Sequence, residues 1–177
     1  MNNLQDSAKL RGRWEIEVYD NKEDMNLISK SECTNVLTDE GLDHVLNAVL
    51  HAATQITTWY CIIYETNTAG AAAQTYAVPV WTETAAYDEA TRPEYVEAAS
   101  TAKSTTNSAS KAVFTASATK TFYGAALVGG GSAATTKSDV AGGGTLLCAG
   151  LFGTAQPVID GNVVNLTYTV TAADDGV

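Results

Sequence analysis

The clearest pattern of apolar and polar positions lies in residues 39–53. Apolar side chains recur there at the three- and four-residue spacing of an α-helix, at Leu42, Val45, Leu46, Val49 and Leu50. Thr38 is suited to cap the start of such a helix, and Asp39 and Glu40 follow where the positive end of the helix dipole favours carboxylates. The pattern predicts one amphipathic helix near residues 39–53, with its apolar stripe packed against the rest of the protein.

A β-strand is predicted directly after this helix, in residues 57–65. The sequence TTWYCIIYE is dense in aromatic and β-branched residues, which favour strands. Both faces of the strand are apolar, with Trp59, Cys61 and Ile63 on one face and Tyr60, Ile62 and Tyr64 on the other. Since a strand that is buried on both faces has a layer of structure on either side, we expect this strand to be central, with the helix packed against it.

Further strands are predicted before the helix and after the strand TTWYCIIYE in the sequence. RWEIEVY alternates, with Trp14, Ile16 and Val18 on one face, and MNLISKSECTNVL returns beside it. Four more runs with strand character fall in the last third of the chain: KAVFTAS, KTFYGAALV, TLLCAGLF and NVVNLTYTVTA. In the last run, the inward-facing side chains are those of Val164, Leu166, Tyr168 and Val170.

Turn and loop signals, together with the strands, predict the fold class. Asp160 and Gly161 predict a tight hairpin with a type I′ turn, which needs positive φ at both central positions. Two glycine triplets in residues 129–144 predict a mobile surface loop. Seven or eight short strands and one helix predict a mainly β protein, an antiparallel β-sandwich, with a jelly roll as one strand order that this number of strands allows.

The length of 177 residues predicts one domain with a core of its own. We expect a flexible polar arm in residues 1–12, a single β-rich domain in 13–172 and an acidic tail in 173–177. The first residues lack the apolar core of a signal peptide, and no segment is apolar enough to span a membrane. The chain is therefore expected to be soluble and made in a reducing compartment, with Cys61 and Cys148 as buried free thiols.

The charge balance restricts the class of partner. Ten basic and twenty acidic residues give a net charge of −10. Nucleic acid and anionic membranes would both be repelled by such a protein. We therefore expect no nucleic-acid partner and no membrane partner.

The sequence predicts no catalytic residues, no metal site and no cofactor. His44 and His51 are seven positions apart on the helix, about 10 Å along its axis, and lie opposite the apolar stripe, so both are expected to face solvent. The glycine-rich runs lack the spacing and the following helix of a phosphate-binding loop. Five carboxylates between residues 83 and 97 predict a solvated acidic surface: Glu83, Asp88, Glu89, Glu94 and Glu97.

One segment without clear periodicity is rich in the residue types that dominate protein interfaces. These candidate interface residues are Trp81, Tyr87, Arg92, Pro93 and Tyr95. Large, rigid and amphipathic side chains of this kind bind partners, but they also cap the end of a β-sandwich core. Both interpretations remain open from the sequence.

An ordered set of motifs resembles a group of small structural proteins of tailed bacteriophages. The motifs, which span about residues 35–171, are NVLTDEGLDHVLNAVL, TTWYCIIYE, VWTETAAYDEATRPEY, NSASKAVF, YGAAL, GGGTLLCAGLF and VIDGNVVNLTYTVTA. This chain departs from the group in two places: Gly161-Asn162 stands where Gly-Asp is usual, and Tyr64 or Glu65 stands where Gly-Leu is usual. The resemblance implies a component of the virion and carries over no catalytic residue.

The resemblance is greatest to head decoration, or cement, proteins. It implies a homo-oligomer that is made in the host cytoplasm, binds the exterior of the capsid and stabilises the lattice of major capsid protein. An alternative is a virion protein of the tail, neck or fibre. A second alternative, from the residues alone, is a carbohydrate-binding β-sandwich that uses Trp81 and Tyr87.

Overall fold

The computed structural model describes residues 8–174. Within that range it has one α-helix and nine β-strands. Their order is β1 (Ala8–Tyr19), β2 (Leu27–Thr34), β3 (Val36–Leu37), α1 (Asp39–Leu50), β4 (Trp59–Tyr64), β5 (Ser104–Thr106), β6 (Ala112–Thr115), β7 (Lys120–Gly129), β8 (Thr145–Val158) and β9 (Val163–Asp174). The prediction of a mainly β protein with a single helix is confirmed.

The strands form two antiparallel sheets. Sheet A has the order β2-β1-β9-β5, and β6 pairs with β9 beside β5. Sheet B has the order β3-β8-β7-β4. The longest pairing joins β1 to β9 without interruption, from Ala8 opposite Asp174 to Tyr19 opposite Val163.

Alternating apolar side chains of sheet A form the core against sheet B. Trp14, Ile16 and Val18 are fully buried, as the alternation in RWEIEVY predicts. The ring of Trp14 stacks on that of Tyr168, with 4.3 Å between centroids. From sheet B, the core receives Cys61, Ile63, Leu127, Cys148 and Phe152.

Sheet B is also buried on its other face, where a second apolar cluster lies. This cluster contains Ile62, Tyr64, Tyr76, Trp81, Ala126, Val128, Leu146 and Ala149. The prediction that β4 is apolar and buried on both faces is therefore confirmed. The prediction that β4 is a central strand is wrong, because β4 is the last strand in the order of sheet B.

An irregular segment, residues 82–95, covers the outer edge of β4. The N–H of Cys61 donates to the carbonyl of Pro93 (2.9 Å), and the N–H of Tyr95 donates to the carbonyl of Trp59 (2.8 Å). Further along, the N–H of Thr84 donates to the carbonyl of Ile63 (2.9 Å). This segment satisfies the backbone groups of an edge strand without being a regular strand itself.

Asn107 joins two short strands to β9. Its side-chain Nδ2 donates to the carbonyl of Leu166 (3.2 Å), and its Oδ1 accepts from the N–H of Tyr168 (2.7 Å). The side chain is fully buried. The two hydrogen bonds of this side chain take the place of backbone hydrogen bonds to β9 between β5 and β6, where the main chain bulges away from the sheet.

The turn at Asp160 and Gly161 is present, but it is not a hairpin. Only Gly161 has a positive φ (85°), and the N–H of Asn162 donates to the carbonyl of Ile159 (3.1 Å). This is the pattern of a type II turn, which needs positive φ only at its third residue. The flanking strands β8 and β9 belong to different sheets, so the turn carries the chain from sheet B to sheet A.

The predicted boundary of the arm is wrong by five residues and that of the tail by two. Residues 8–12 belong to β1, and Ala173 and Asp174 belong to β9, because the two strands pair through Lys9 opposite Ala173. The remainder of both predictions, residues 1–7 and 175–177, lies outside the described residues.

Candidate functional site

Four of the five predicted interface residues are buried inside the protein. Trp81, Tyr87, Arg92 and Tyr95 are at most 5% exposed, and Pro93 is half-buried. Trp81 stacks on Tyr64 in the second apolar cluster, with 5.0 Å between ring centroids. These residues therefore form no exposed patch, and the alternative of a cap on the core describes them.

Tyr87 and Tyr95 close the core between the two sheets. Tyr87 packs edge-on against Phe114 (5.0 Å), and Tyr95 packs edge-on against Tyr168 (5.8 Å). Burial raises the pKa of both Tyr87 and Tyr95 above the ordinary value for a phenol. Lys137 lies over the Tyr87 ring, 4.1 Å from its centroid, and donates to the carbonyl of that residue (2.7 Å).

Arg92 forms a buried ion pair with Glu83. Its Nε donates to one carboxylate oxygen (2.8 Å) and its Nη2 donates to the other (2.5 Å). Nη1 donates to the hydroxyl of Tyr76 and to the carbonyl of Ala134 (3.1 Å). The prediction that Glu83 belongs to a solvated acidic surface is wrong, because its carboxylate faces this guanidinium and is about 1% exposed.

The same cluster holds the glycine-rich loop, residues 130–144, in place. The hydroxyl of Tyr76 donates to the carbonyl of Val140 (2.9 Å), and the N–H of Arg92 donates to the carbonyl of Thr135 (3.0 Å). The backbone N–H of Glu83 donates to Asp139 Oδ1 (2.9 Å). The loop is thus attached at several points along its length.

The start of α1 is fixed to the start of β8. Thr38 caps the helix as predicted, with its hydroxyl oxygen accepting from the N–H of Gly41 (3.0 Å). The carboxylate of Glu40 accepts from the N–H of Leu146 (2.8 Å) and from that of Tyr76 (3.0 Å). Gly41 lies so close to the sheet that a Cβ there would be 2.5 Å from the carbonyl oxygen of Leu147.

These contacts set the rotation of the helix about its axis. Positions 41, 44, 45 and 48 face the protein, and His44 is half-buried, with its Nε2 accepting from the N–H of Ile56 (3.4 Å). Its ring packs edge-on against Trp59 (5.7 Å). The prediction that His44 faces solvent is therefore wrong, whereas His51 is exposed as expected.

Much of the predicted apolar stripe points outward. Leu46 is 55% exposed, Val49 is 74% exposed and Leu50 is 78% exposed. We call these three side chains the helix face. The prediction that the whole stripe packs inward is wrong, because the first turn, anchored through Thr38 and Gly41, leaves only Leu42 and Val45 half-buried.

A long uncharged stretch of sequence follows Asp43, whose exposed carboxylate lies one turn before Leu46 on the same side of the helix. Residues 44–64 contain no Asp, Glu, Lys or Arg, in a chain with a net charge of −10. Beside the helix face lies a groove of about 320 Å³, and its lining includes Val45, Val49, Ile56, Trp59 and Leu147. An exposed apolar stripe next to an apolar groove is the arrangement of a protein-binding surface.

Residues 8–174 contain no group of three or more His, Cys, Asp or Glu side chains placed to hold a metal ion. No helix in that range is long and apolar enough to cross a membrane. All three cysteines are free, and burial raises the pKa of the Cys148 thiol to about 12, so that it stays protonated at neutral pH.

The fold and the surface together define a class: an antiparallel two-sheet β protein whose single described helix presents an exposed apolar face, Leu46, Val49 and Leu50. Comparison with known proteins adds no closer assignment. No protein-family model matches the chain, and no curated protein matches it either.

Proposed function

We propose that this chain is a structural protein of a tailed-bacteriophage virion, which decorates the capsid exterior and stabilises the lattice of major capsid protein. The resemblance of residues 35–171 to phage structural proteins suggests the virion. The observation that supports a function through protein contact is the helix face. It offers three large apolar side chains on a helix that is fixed to the sheet at its first turn.

The size of the helix face fits a contact that is repeated many times. Burying the exposed parts of Leu46, Val49 and Leu50 contributes about 1–2 kcal/mol per side chain. One such contact alone is weak, because association costs several kcal/mol of lost freedom. An oligomer that engages several capsid subunits at once binds far more tightly through the raised effective concentration.

The carbohydrate-binding alternative requires exposed aromatic side chains on which a sugar ring can stack. Trp81 and Tyr87, the aromatic side chains that this hypothesis invoked, are 5% and 3% exposed. A sugar ring cannot stack on a side chain that the protein itself encloses.

A tail, neck or fibre position differs from the capsid in stoichiometry, with roughly six or twelve copies per particle for a symmetric ring instead of hundreds.

Capsids that lack the protein provide the test. Purified protein is added to them, binding is measured by co-sedimentation, and the particles are then challenged with heat or a chelator. We expect the wild-type chain to bind and to raise the temperature at which the shell opens. Replacing Leu46, Val49 and Leu50 together by Gln should weaken binding more than a hundredfold, since it removes roughly 3–6 kcal/mol per contact.

Two exposed apolar residues away from the helix serve as the matched control. Val78 and Ile159 are 71% and 60% exposed, and their replacement by Gln should leave capsid binding unchanged. Failure of the wild-type chain to bind, or equal survival of the shell with and without it, contradicts the decoration proposal. The copy number in purified particles then decides whether the tail or neck alternative takes its place.

A further inference from the structure

The first residues of β1 have an open edge. β1 pairs with β9 from Ala8 onward, but its pairing with β2 begins only at Arg13. Thr34, the partner of Arg13, is the last residue of β2, and the chain leaves sheet A after it. The N–H of the next residue, Asn35, donates to the carbonyl of Gly12 (3.1 Å). Alternate residues of an antiparallel strand direct their backbone groups to the same edge, so the N–H and C=O of Leu10 also point to this side. No strand among residues 8–174 pairs with them there.

A groove of about 550 Å³ lies along this edge. Leu10, which is 37% exposed, lines it together with Leu37 and Leu42. The rest of the lining comes from Lys9, Arg11, Gly12, Thr34 and Asn35. Leu10 and Gly12 lie on the same face of β1 as Trp14, Ile16 and Val18, which the core buries. The groove therefore continues the inner, apolar face of sheet A past the last residue of β2.

The opposite face of the same strand is basic. Lys9 and Arg11 are exposed, and neither takes part in a salt bridge within the described part of the chain. Most other basic side chains differ: Arg13, Lys30, Arg92, Lys111 and Lys120 are all paired with carboxylates. On a chain with a net charge of −10, these two cations mark a site for a negatively charged partner.

We propose that residues 8–12 accept an extended, acidic segment of a partner protein as an additional strand of sheet A. Backbone hydrogen bonds would join it to Leu10 and to the N–H of Gly12. Its alternate apolar side chains would enter the groove beside Leu37 and Leu42. Its carboxylates would lie on the outer face, across from Lys9 and Arg11, which is the favourable arrangement for cross-strand pairs of opposite charge.

A second copy of this chain fits the edge poorly. Two copies of β1 that pair about a twofold axis at Leu10 would set Lys9 of one copy opposite Arg11 of the other. Like charges directly across from each other destabilise a sheet. The charges on this strand therefore favour a different, acidic partner over self-pairing.

A synthetic peptide tests the site without knowledge of the natural partner. The probe is a fluorescein-labelled, capped heptapeptide of alternating Val and Glu, and the comparison peptide has Lys in place of Glu. Binding is measured by fluorescence anisotropy at 50 mM salt, roughly the low-salt regime in which charge contributes most. Backbone hydrogen exchange at Leu10 and Gly12 is followed by NMR at millimolar peptide.

We expect the acidic peptide to bind at least tenfold more tightly than the basic one and to slow exchange at Leu10 and Gly12. Lys9→Glu combined with Arg11→Glu should weaken binding at least tenfold. Leu10→Pro should also abolish it, because proline removes the edge N–H, which points away from β9. Lys22→Glu, which changes an exposed lysine in the turn at the other end of β1, is the charge control and should have no effect.

Several results would overturn the proposal. They are unchanged exchange at Leu10 and Gly12 at millimolar acidic peptide, equal binding of the two peptides, and binding that survives Leu10→Pro. A dimer in sedimentation that Leu10→Pro dissociates would show that a second copy occupies the edge instead. None of these outcomes depends on whether the chain is a capsid protein.

Discussion

The guanidinium of Arg92 is enclosed on every side by protein. Glu83 accepts two of its hydrogen bonds, and Tyr76 with two loop carbonyls accepts the others. A buried charge of this kind is tolerated only while every partner is present. Arg92 thus acts as a cross-link between the segment that covers β4 and the glycine-rich loop.

Replacing Arg92 by Met should lower the free energy of unfolding by about 3–5 kcal/mol, since it leaves the Glu83 carboxylate buried without its counter-charge. Urea denaturation measures the change. The double variant Arg92→Met, Glu83→Gln should be more stable than the single variant. As a control, Arg13→Ala removes an ion pair whose side chains are both 56% exposed and should cost at most about 1 kcal/mol. A loss of similar size for Arg13 and Arg92 would contradict this account.

Glu17 makes the stability of the protein depend on pH. Burial would raise the pKa of Glu17, but the hydrogen bond from Lys111 (2.5 Å) and the charges of Lys111 and Lys30 outweigh it and hold the pKa below its ordinary value. A carboxyl group with a lowered pKa stabilises the folded state above the unfolded-state pKa, near 4.5. That contribution is lost as the pH falls below this value.

We therefore expect Glu17→Gln to cost about 1 kcal/mol at pH 7 and to flatten the loss of stability below pH 4.5. Urea denaturation at a series of pH values measures both effects. Lys111→Gln should remove much of the same pH dependence, because it removes the principal partner. An acid transition that is unchanged in both variants would show that Glu17 is not its source.

At the scale of the element, the helix shows what periodicity can and cannot predict. The spacing of Leu42, Val45, Leu46 and Val49 identified a helix, and Thr38 identified its start. Periodicity shows which residues share a face, but not which face is inside. That choice rests on Gly41, whose lack of a side chain lets the first turn approach the backbone of Leu147.

Gly41→Ala should therefore destabilise the protein by roughly 1–3 kcal/mol, although alanine is the better helix former. The new Cβ would meet the carbonyl oxygen of Leu147 at 2.5 Å, and backbone cannot move aside easily. Thermal unfolding measures the change. The control is Asn47→Ala at an exposed position of the same helix, which should be neutral or slightly stabilising. If both substitutions stabilise, the first turn does not fix the helix as described.

The segment from Trp81 to Tyr95 was the least predictable element. It has no regular period, and its aromatic and charged residues are equally suited to a surface and to an enclosed cluster. The partners that decide between these, Tyr64, Phe114 and Tyr168, lie on strands distant in sequence. Residue types alone cannot reveal such pairings.

At the scale of the whole molecule, the alternation of apolar residues predicted the two-sheet architecture well. Trp14, Ile16, Val18, Leu166 and Tyr168 all face the core as expected. The motifs that carry the resemblance to phage proteins contain the exposed helix face, but they also contain residues whose contacts are internal. Gly41, Arg92 and Asn107 all lie within these motifs and all make internal contacts, whereas the open edge at Leu10 lies outside them.

The pairing of the first strand with the last has a consequence for how the chain folds. Among the strands of residues 8–174, β1 is synthesised before the others, and its partner β9 leaves the ribosome after them. Until then Trp14, Ile16 and Val18 have no completed core to enter, and the nascent chain must hold them exposed. Domains dominated by such distant pairings fold slowly, on the order of milliseconds to seconds.

Circular permutation measures this delay. Joining Val177 to Met1 and opening the chain between the half-buried Ala118 and the exposed Thr119, in the link from β6 to β7, would make β1 and β9 neighbours in sequence. We expect the permuted chain to refold at least several-fold faster in stopped-flow fluorescence, because a short loop replaces closure of nearly the whole chain. An unchanged refolding rate would mean that β1 and β9 pair only after the slowest step of folding, and that their pairing does not limit the rate.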